Sequence, residues 1–217
     1  MKATIGQQKV RIPPLEPGVY HAVCAMVVDL GFQYTPAYKR TARKVRILWE
    51  VVGETVTIGE EERPRLISKD YTLSLDERSN LFKHLQSWRG KTFTDEELED
   101  GFDLSKLCDA NCQLLLIHKS GDRGPYAVVD SVIPLKKGMP RHKAEKTFYF
   151  DMEDPATHAV FEELPRYIQE AISKAENFDD TGLQLPERSF NNAGDPPPEG
   201  CFGSGYTQIT SGDDLPF

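Results

Sequence analysis

The order of strand-like and helical segments restricts the fold of this chain more than any other feature. Five segments have the length and composition of β-strands, and the second one alternates apolar and polar residues. In that segment, one face of the strand carries Val45, Ile47, Trp49 and Val51. Lys44 and Arg46 lie on the other face and are therefore expected to point outward together. The five predicted strands are Tyr20 to Leu30, Lys44 to Val52, Leu66 to Leu75, Asn111 to Lys119 and Tyr126 to Leu135.

One amphipathic helix is predicted between the third and fourth strands. Ser74 or Asp76 can cap its start, and Gly90 ends it. A short acidic stretch behind it predicts a second small helix capped by Thr94. Three strands, a helix and two strands form the element order of an OB-fold, a partly open five-stranded barrel that binds oligonucleotides or oligosaccharides. Other small β-barrels share this order. We therefore predict a mainly β chain with added helices, and an OB-fold barrel within it.

The C-terminal third has a different composition. Asp154 as N-cap and Pro155 at the first helical position predict a helix over residues 155–175, which Pro165 kinks or splits. From Asn191 onward, Gly, Pro, Ser, Asn and Asp dominate, which is typical of a disordered tail. The predicted organisation is a barrel domain at 1–150, a helix at 151–178, a flexible linker at 179–212 and an acidic tip at 213–217.

The charge of the chain is divided unevenly between these parts. Residues 1–150 hold 23 basic and 20 acidic side chains, whereas residues 151–217 hold 3 basic and 14 acidic ones. A mildly basic body with a strongly acidic tail is a pattern found in proteins that act on nucleic acids. A solvated acidic tail without a partner has the same composition.

The segment from Gly31 to Trp49 is the predicted nucleic-acid interface. It combines basic residues for phosphates with aromatic residues for bases and contains no acid, as single-strand binding requires. Strand alternation favours a core position for Trp49, which makes it a weaker choice. The predicted contacts in this segment are Tyr34, Tyr38, Lys39, Arg40, Arg43, Lys44, Arg46 and Trp49. A second basic stretch, within residues 136–150, could extend the same groove and adds Lys136, Lys137, Arg141 and Lys143.

No sequence motif for catalysis is present. The chain lacks a nucleophile elbow, a P-loop, a zinc-protease motif and a dinucleotide-binding fingerprint. The four cysteines do not have zinc-ligand spacing and are expected to be reduced thiols. We predict no catalytic residue, no metal site and no cofactor. A diverged metal nuclease would draw on the strand-borne carboxylates Asp29, Asp70 and Asp130. With no apolar run near 20 residues and no apolar N-terminal segment, a cytoplasmic location is expected.

The last five residues read DDLPF and resemble the C-terminal tip of bacterial single-stranded DNA-binding proteins. In that family an acidic patch, an apolar residue, Pro and a terminal Phe follow a disordered linker behind an OB-fold. The body segments EPGVYHAVCAMVVDLG and YTLSLDERSNLFKHLQSWRGKTFTDEELE are similar to phage-encoded proteins of replication and recombination. The resemblance implies that a partner enzyme is recruited through Asp213, Asp214, Leu215, Pro216 and Phe217. The chain departs from the family in its long segment after the third strand and its helix at 155–175. The family's tetramer interface therefore does not carry over, and the oligomeric state stays open.

The expected function is non-catalytic, sequence-tolerant binding of single-stranded DNA in replication, recombination and repair. Two alternatives remain at this point. One is a strand-annealing recombination protein. The other is a protein-binding or inhibitor module that mimics the tail of a single-stranded DNA-binding protein.

Overall fold

The computed structural model describes residues 12–36, 39–58, 60–121 and 124–186. These residues form six strands and three α-helices. The strands are β1 (Gly18–Thr35), β2 (Arg40–Ile58), β3 (Glu61–Thr72), β4 (Asn111–Gly121), β5 (Gly124–Pro134) and β6 (Phe148–Phe150). The α-helices are α1 (Asn80–Arg89), α2 (Asp95–Glu99) and α3 (Arg166–Ile172). Short 3-10 helices lie at Leu104–Leu107, Pro155–Glu163 and Asp179–Thr181. The prediction of a mainly β chain with added helices is confirmed.

The sheet is built around β1. Its strand order is β3-β2-β1-β4-β5, and each of these neighbours pairs antiparallel. The short β6 pairs parallel with β1 at Met26 to Val28, beyond the part of β1 that pairs with β4. The strands at the two ends of this order also approach each other, because Lys69 Nζ of β3 donates a hydrogen bond to the Val129 carbonyl of β5 at 2.8 Å.

The alternation predicted for β2 is correct on its apolar face. Val45, Ile47, Trp49 and Val51 are all buried, at no more than 2% exposure. They belong to an inner core, which side chains from β1, β3, β4, β5 and α1 complete. Residues at this period lie on one face because successive side chains of a strand point to opposite sides.

A second apolar layer covers the opposite face of β1 and β2. Residues 148–178, here called the C-terminal layer, supply most of this outer core. Their buried side chains include Phe150, Met152, Phe161, Leu164, Ile168 and Ile172. From β1 and β2 the outer core takes Ala25, Met26, Val28, Leu30 and Leu48. Consequently β1 is buried on both faces from Ala22 to Gly31.

Local sequence signals predicted some of the boundaries of α1 and α2 correctly and misplaced one. Gly90 ends α1 and Thr94 caps α2, as predicted. Gly90 adopts the left-handed conformation, and the cap of α2 is a reciprocal capping box of Thr94 with Glu97. The start of α1 was predicted too early. Its N-cap is Ser79, whose hydroxyl accepts from the Phe82 amide, and residues Asp76 and Ser74 instead form the turn before it.

The helical segment predicted at 155–175 is split at Pro165 into two helices, one of the two outcomes predicted for that proline. Asp154 caps the first one, as predicted, but that segment is a 3-10 helix that ends at Glu163. Pro165 then precedes α3, where its fixed φ angle suits a helix start and its missing amide prevents continuation. Beyond α3, the described part of the predicted linker contains a 3-10 turn at Asp179–Thr181, and Leu183 and Leu185 pack against the outer core. Among the described residues, none of the helices has the length and apolarity needed to cross a membrane.

Candidate nucleic-acid interface

The predicted basic and aromatic segment forms a hairpin arm, defined here as residues 31–36 and 39–44. Within it the end of β1 pairs with the start of β2, so that Phe32 lies opposite Arg43 and Tyr34 opposite Thr41. Tyr38, a predicted base contact, lies outside the described residues. The arm therefore places Tyr34 and the cations of β2 on one two-stranded ribbon.

Three predicted contacts are exposed at the end of this arm. The Tyr34 residue is 55% exposed, and Lys39 and Arg40 are exposed beside the turn. Lys39 has a φ of 48°, in the left-handed region, and its amide donates to the Pro36 carbonyl at 3.2 Å. Phe32 is also exposed, at 40%, although the sequence analysis did not select it.

Arg43 holds the C-terminal layer against the sheet. Its Nη2 donates to Asp29 Oδ2 at 2.7 Å and to Asp151 Oδ1 at 2.9 Å, and its Nη1 donates to Glu153 Oε2 at 2.7 Å. Burial opposes the charge of this guanidinium. The hydrogen bond and charge of Asp29, followed by those of Glu153, outweigh that effect and hold the pKa of Arg43 above its ordinary value. The sequence analysis predicted a phosphate contact here and missed these three carboxylates.

Arg46 and Lys44 are likewise engaged within the protein. Arg46 is 8% exposed, and its Nε and Nη2 donate to the two carboxylate oxygens of Asp70 at 2.5 Å and 2.7 Å. Lys44 Nζ donates to Thr72 Oγ1 at 2.6 Å. These two residues share one face, as predicted, but that face borders the outer core, in which the neighbouring Leu48 is completely buried.

Trp49 belongs to the inner core. Its side chain has no exposed surface, and its ring lies 5.9 Å from the ring of Trp88 between centroids. The core position favoured by strand alternation is confirmed. In this arrangement the Trp49 ring cannot stack on a base.

The second basic stretch is an irregular, exposed connection between β5 and β6, here called the basic segment (residues 135–147). Its predicted contacts Lys136, Lys137, Arg141 and Lys143 are all exposed. Its backbone is anchored nevertheless. The His142 amide donates to Asn111 Oδ1 at 2.9 Å, and the His142 carbonyl accepts from Asn111 Nδ2 at 2.8 Å.

Further anchors hold the rest of this segment. The Ala144 amide and the Thr147 hydroxyl both donate to Asp109 Oδ1, at 3.2 Å and 3.1 Å. The Glu145 amide donates to Glu50 Oε2 of β2 at 2.9 Å. Because the anchors use backbone groups and small side chains, they leave the lysine and arginine side chains at the surface.

The hairpin arm and the basic segment lie at different positions along β1. The basic segment leads into Phe148, which pairs with Met26, whereas the paired part of the arm reaches Thr35 of β1. Nine residues of a strand, at a rise of about 3.3 Å each, correspond to roughly 30 Å along β1. The structure therefore presents two separate basic surfaces, each with its own supports.

The strand-borne carboxylates considered for a metal nuclease are used differently. Asp29 pairs with Arg43, Asp70 pairs with Arg46, and Asp130 is exposed on β5. Within the described ranges, no three histidine, cysteine or acidic side chains are grouped so that they could hold a metal ion. Burial raises the pKa of the thiols of Cys24 and Cys112, and it raises the pKa of the partly buried Cys108 to about 11.

The predicted partner-binding tip, Asp213 to Phe217, lies outside the described residues. No protein-family model, curated protein or solved structure matches this chain.

Proposed function

We propose that this protein binds single-stranded DNA without sequence preference and without catalysing a reaction. The observation that carries the proposal is the hairpin arm, whose end carries the exposed residues Tyr34, Lys39 and Arg40. Cations for phosphates and an aromatic face for bases are the two components of such binding, and every base has a face that can stack.

The strand order supports an OB-fold as the scaffold. The arm is the connection between the first two strands, one of the loops through which OB-folds bind oligonucleotides. The contact between Lys69 and Val129 brings β3 next to β5, as closure of the five strands into a barrel requires. The helix α1 between β3 and β4 contributes Leu81, Leu85 and Trp88 to the inner core beneath these strands.

The set of DNA contacts is smaller than the sequence alone predicted. We assign Tyr34, Lys39 and Arg40 on the arm, and Lys136, Lys137, Arg141 and Lys143 on the basic segment. Arg43 and Arg46 are omitted because a phosphate contact would have to break their ion pairs with carboxylates. The acidic tip is assigned to partner enzymes of replication, recombination or repair, on the strength of its DDLPF sequence.

The test is a titration of the full chain against a fluorescently labelled oligo-dT, followed by anisotropy, beside a duplex of equal length. Both tryptophans are buried, so the label should be on the DNA rather than read from the protein. We expect tight binding to the single strand, weak binding to the duplex, and a steep loss of affinity as salt rises. Absence of binding to any nucleic acid at low salt would overturn the proposal.

A further inference from the structure

The sheet has a further apolar surface on the outer side of β1, β4 and β5. Residues that pair across strands point to the same side of a sheet, and so do residues two apart on one strand. The pairing of β4 with β1 and with β5 therefore places eight side chains on one surface. This surface, here called the open face, consists of Val19 and His21 of β1, Gln113, Leu115 and Ile117 of β4, and Val128, Ser131 and Ile133 of β5.

The open face continues an outer surface that is covered further along β1. The C-terminal layer covers the far part of that surface. Next comes Val23, which is completely buried and pairs with Asn111 and Glu50, the two residues that anchor the basic segment. Val19 lies four residues before Val23 on the same side and is 57% exposed, and Ile133 is 37% exposed. The cover therefore ends between Val23 and Val19.

The apolar residues of the open face contribute to neither core. In the part of the chain that the structure describes, the inner and outer cores do not include Val19, Leu115, Ile117, Val128 or Ile133. None of the eight residues of the face is acidic, lysine or arginine, although these types make up 28% of the chain. Exposed apolar residues that adjoin each other across three strands are typical of an interaction site.

The composition of the open face argues against several occupants. A phosphate backbone would meet no lysine or arginine on it. The two ends of the described chain are also held elsewhere. The Pro13 carbonyl accepts from Arg65 of β3, and the Pro186 carbonyl accepts from Arg166 of α3. The segments beyond those ends are charged, with three cations in residues 1–11 and five carboxylate side chains in residues 187–217.

We propose that the open face binds the same face of a second copy of this chain. Two identical faces meet around a two-fold axis, where each supplies the uncharged apolar surface that the other requires. Two sheets packed in this way lie about 10 Å apart and interdigitate their side chains. Since the face carries no acidic residue, lysine or arginine, the contact brings no like charges of these types together, despite the net charge of −8 on each chain.

The size of the open face sets the strength of this contact. Three strands about 4.8 Å apart and three rows of side chains about 6.7 Å apart enclose roughly 300 Å². A stable complex buries about 800 Å² on each partner. The dimer is therefore expected to be weak and reversible, and to form at micromolar concentrations or above.

Sedimentation equilibrium of the full chain without nucleic acid, from about 1 µM to about 300 µM, measures this association. We expect monomer at the low end and a growing fraction of dimer at the high end. Val19→Glu and Ile133→Glu, tested singly, each place a carboxylate on the face at an exposed position. Because the dimer would bury that charge against apolar surface, each variant should raise the dissociation constant of the dimer at least about tenfold.

Leu73→Glu is the matched control. Leu73 is also an exposed apolar residue, at 36%, but its amide donates to the Arg43 carbonyl at 2.9 Å, beside the hairpin arm and away from the open face. This variant should dimerise like the parent chain, and thermal unfolding of every variant verifies that the fold is intact.

Three results would overturn the proposal. The first is unchanged dimerisation of both open-face variants, and the second is equal weakening by Leu73→Glu. The third is a parent chain that stays monomeric over the whole range, which would leave the face to a different protein or to a segment of this chain. The inference does not depend on the proposed function, since the association is measured without DNA.

Discussion

Arg43 of β2 donates to Asp29 of β1 through both its Nε and its Nη2, at 3.2 Å and 2.7 Å, and both bonds reach the same carboxylate oxygen. That oxygen also accepts from the Met152 amide at 3.2 Å. These bonds therefore join β1 and β2 to the start of the C-terminal layer. Asp29 is buried in this arrangement, at 5% exposure.

Arg43→Ala should destabilise the protein strongly, because it leaves the buried Asp29 carboxylate without a cation. Loss of one partner of a largely buried ion pair costs about 3 kcal/mol or more. The free energy of unfolding from urea denaturation measures the effect. Arg63→Ala removes an exposed pair with Glu61 and should change it by less than about 0.5 kcal/mol. Equal effects of the two substitutions would contradict this role of Arg43.

Gly31→Ala should also lower stability, and it tests how closely the C-terminal layer approaches β1. Gly31 has a φ of +68°, and an added Cβ would lie 2.6 Å from Asn177 Oδ1 and 2.7 Å from both Ala175 Cβ and Met152 Cε. Strain and overpacking together should cost about 2 to 4 kcal/mol. Gly53→Ala is the matched control, since Gly53 has a φ of +83° but nothing within 4 Å of an added Cβ. Thermal melts should show the larger loss for Gly31→Ala.

Lys39→Gln combined with Arg40→Gln should weaken binding to oligo-dT and reduce its dependence on salt. Each phosphate contact on a single strand contributes about 0.7 to the slope of log K against log salt concentration. Loss of two contacts should therefore reduce the slope by about 1.4, as measured by anisotropy at several salt concentrations. An unchanged slope would remove these two residues from the phosphate contacts. Lys136→Gln with Lys137→Gln applies the same test to the basic segment.

Deletion of residues 213–217 should separate partner binding from DNA binding. The carboxylates of Asp213 and Asp214 and the ring of Phe217 are expected to bind a partner's basic and apolar pocket, while the body binds DNA. We expect the deletion to leave affinity for oligo-dT unchanged or raised, and to abolish pull-down of replication or repair enzymes. Loss of DNA binding in the deleted chain would contradict this division of roles.

Alkylation by iodoacetamide should be slow at the thiol of Cys108 in the native protein. Burial is the largest cause that raises its pKa, from an ordinary value of 9.0 to about 11. Since only the thiolate reacts, a rise of two units reduces the reactive fraction about 100-fold at pH 8. Mass spectrometry of the labelled peptide, in native buffer and in denaturant, compares the two rates. Similar rates in both conditions would contradict the protected position of Cys108.

The sequence predicted the inner core well because alternation is a local signal. Val45, Ile47 and Trp49 are buried where the two-residue period places them. The same period places Lys44 and Arg46 correctly on the opposite face, but it cannot tell what covers that face. The carboxylates that engage Arg43 and Arg46 come from β1, β3 and residues 151–153, and only tertiary structure brings them together.

One signal for the outer core was present in the sequence. The run from Ala22 to Val28 is apolar throughout, and a strand that lacks alternation is typical of burial on both faces. The strand β6 had no comparable signal, since it is only three residues long. The N-cap of α1 was misplaced because Ser74, Asp76 and Ser79 all have side chains that can cap a helix, and the turn geometry selects Ser79.

The two-sided burial of β1 has a consequence for the time at which this chain can finish folding. The outer face of β1 is covered by residues 148–178, which leave the ribosome more than 100 residues after β1 itself. At about 5 to 20 residues per second, the nascent chain carries Met26, Val28 and Leu30 uncovered on that face for on the order of ten seconds. During that interval the strand is open to chaperones and to neighbouring nascent chains, until the C-terminal layer covers it.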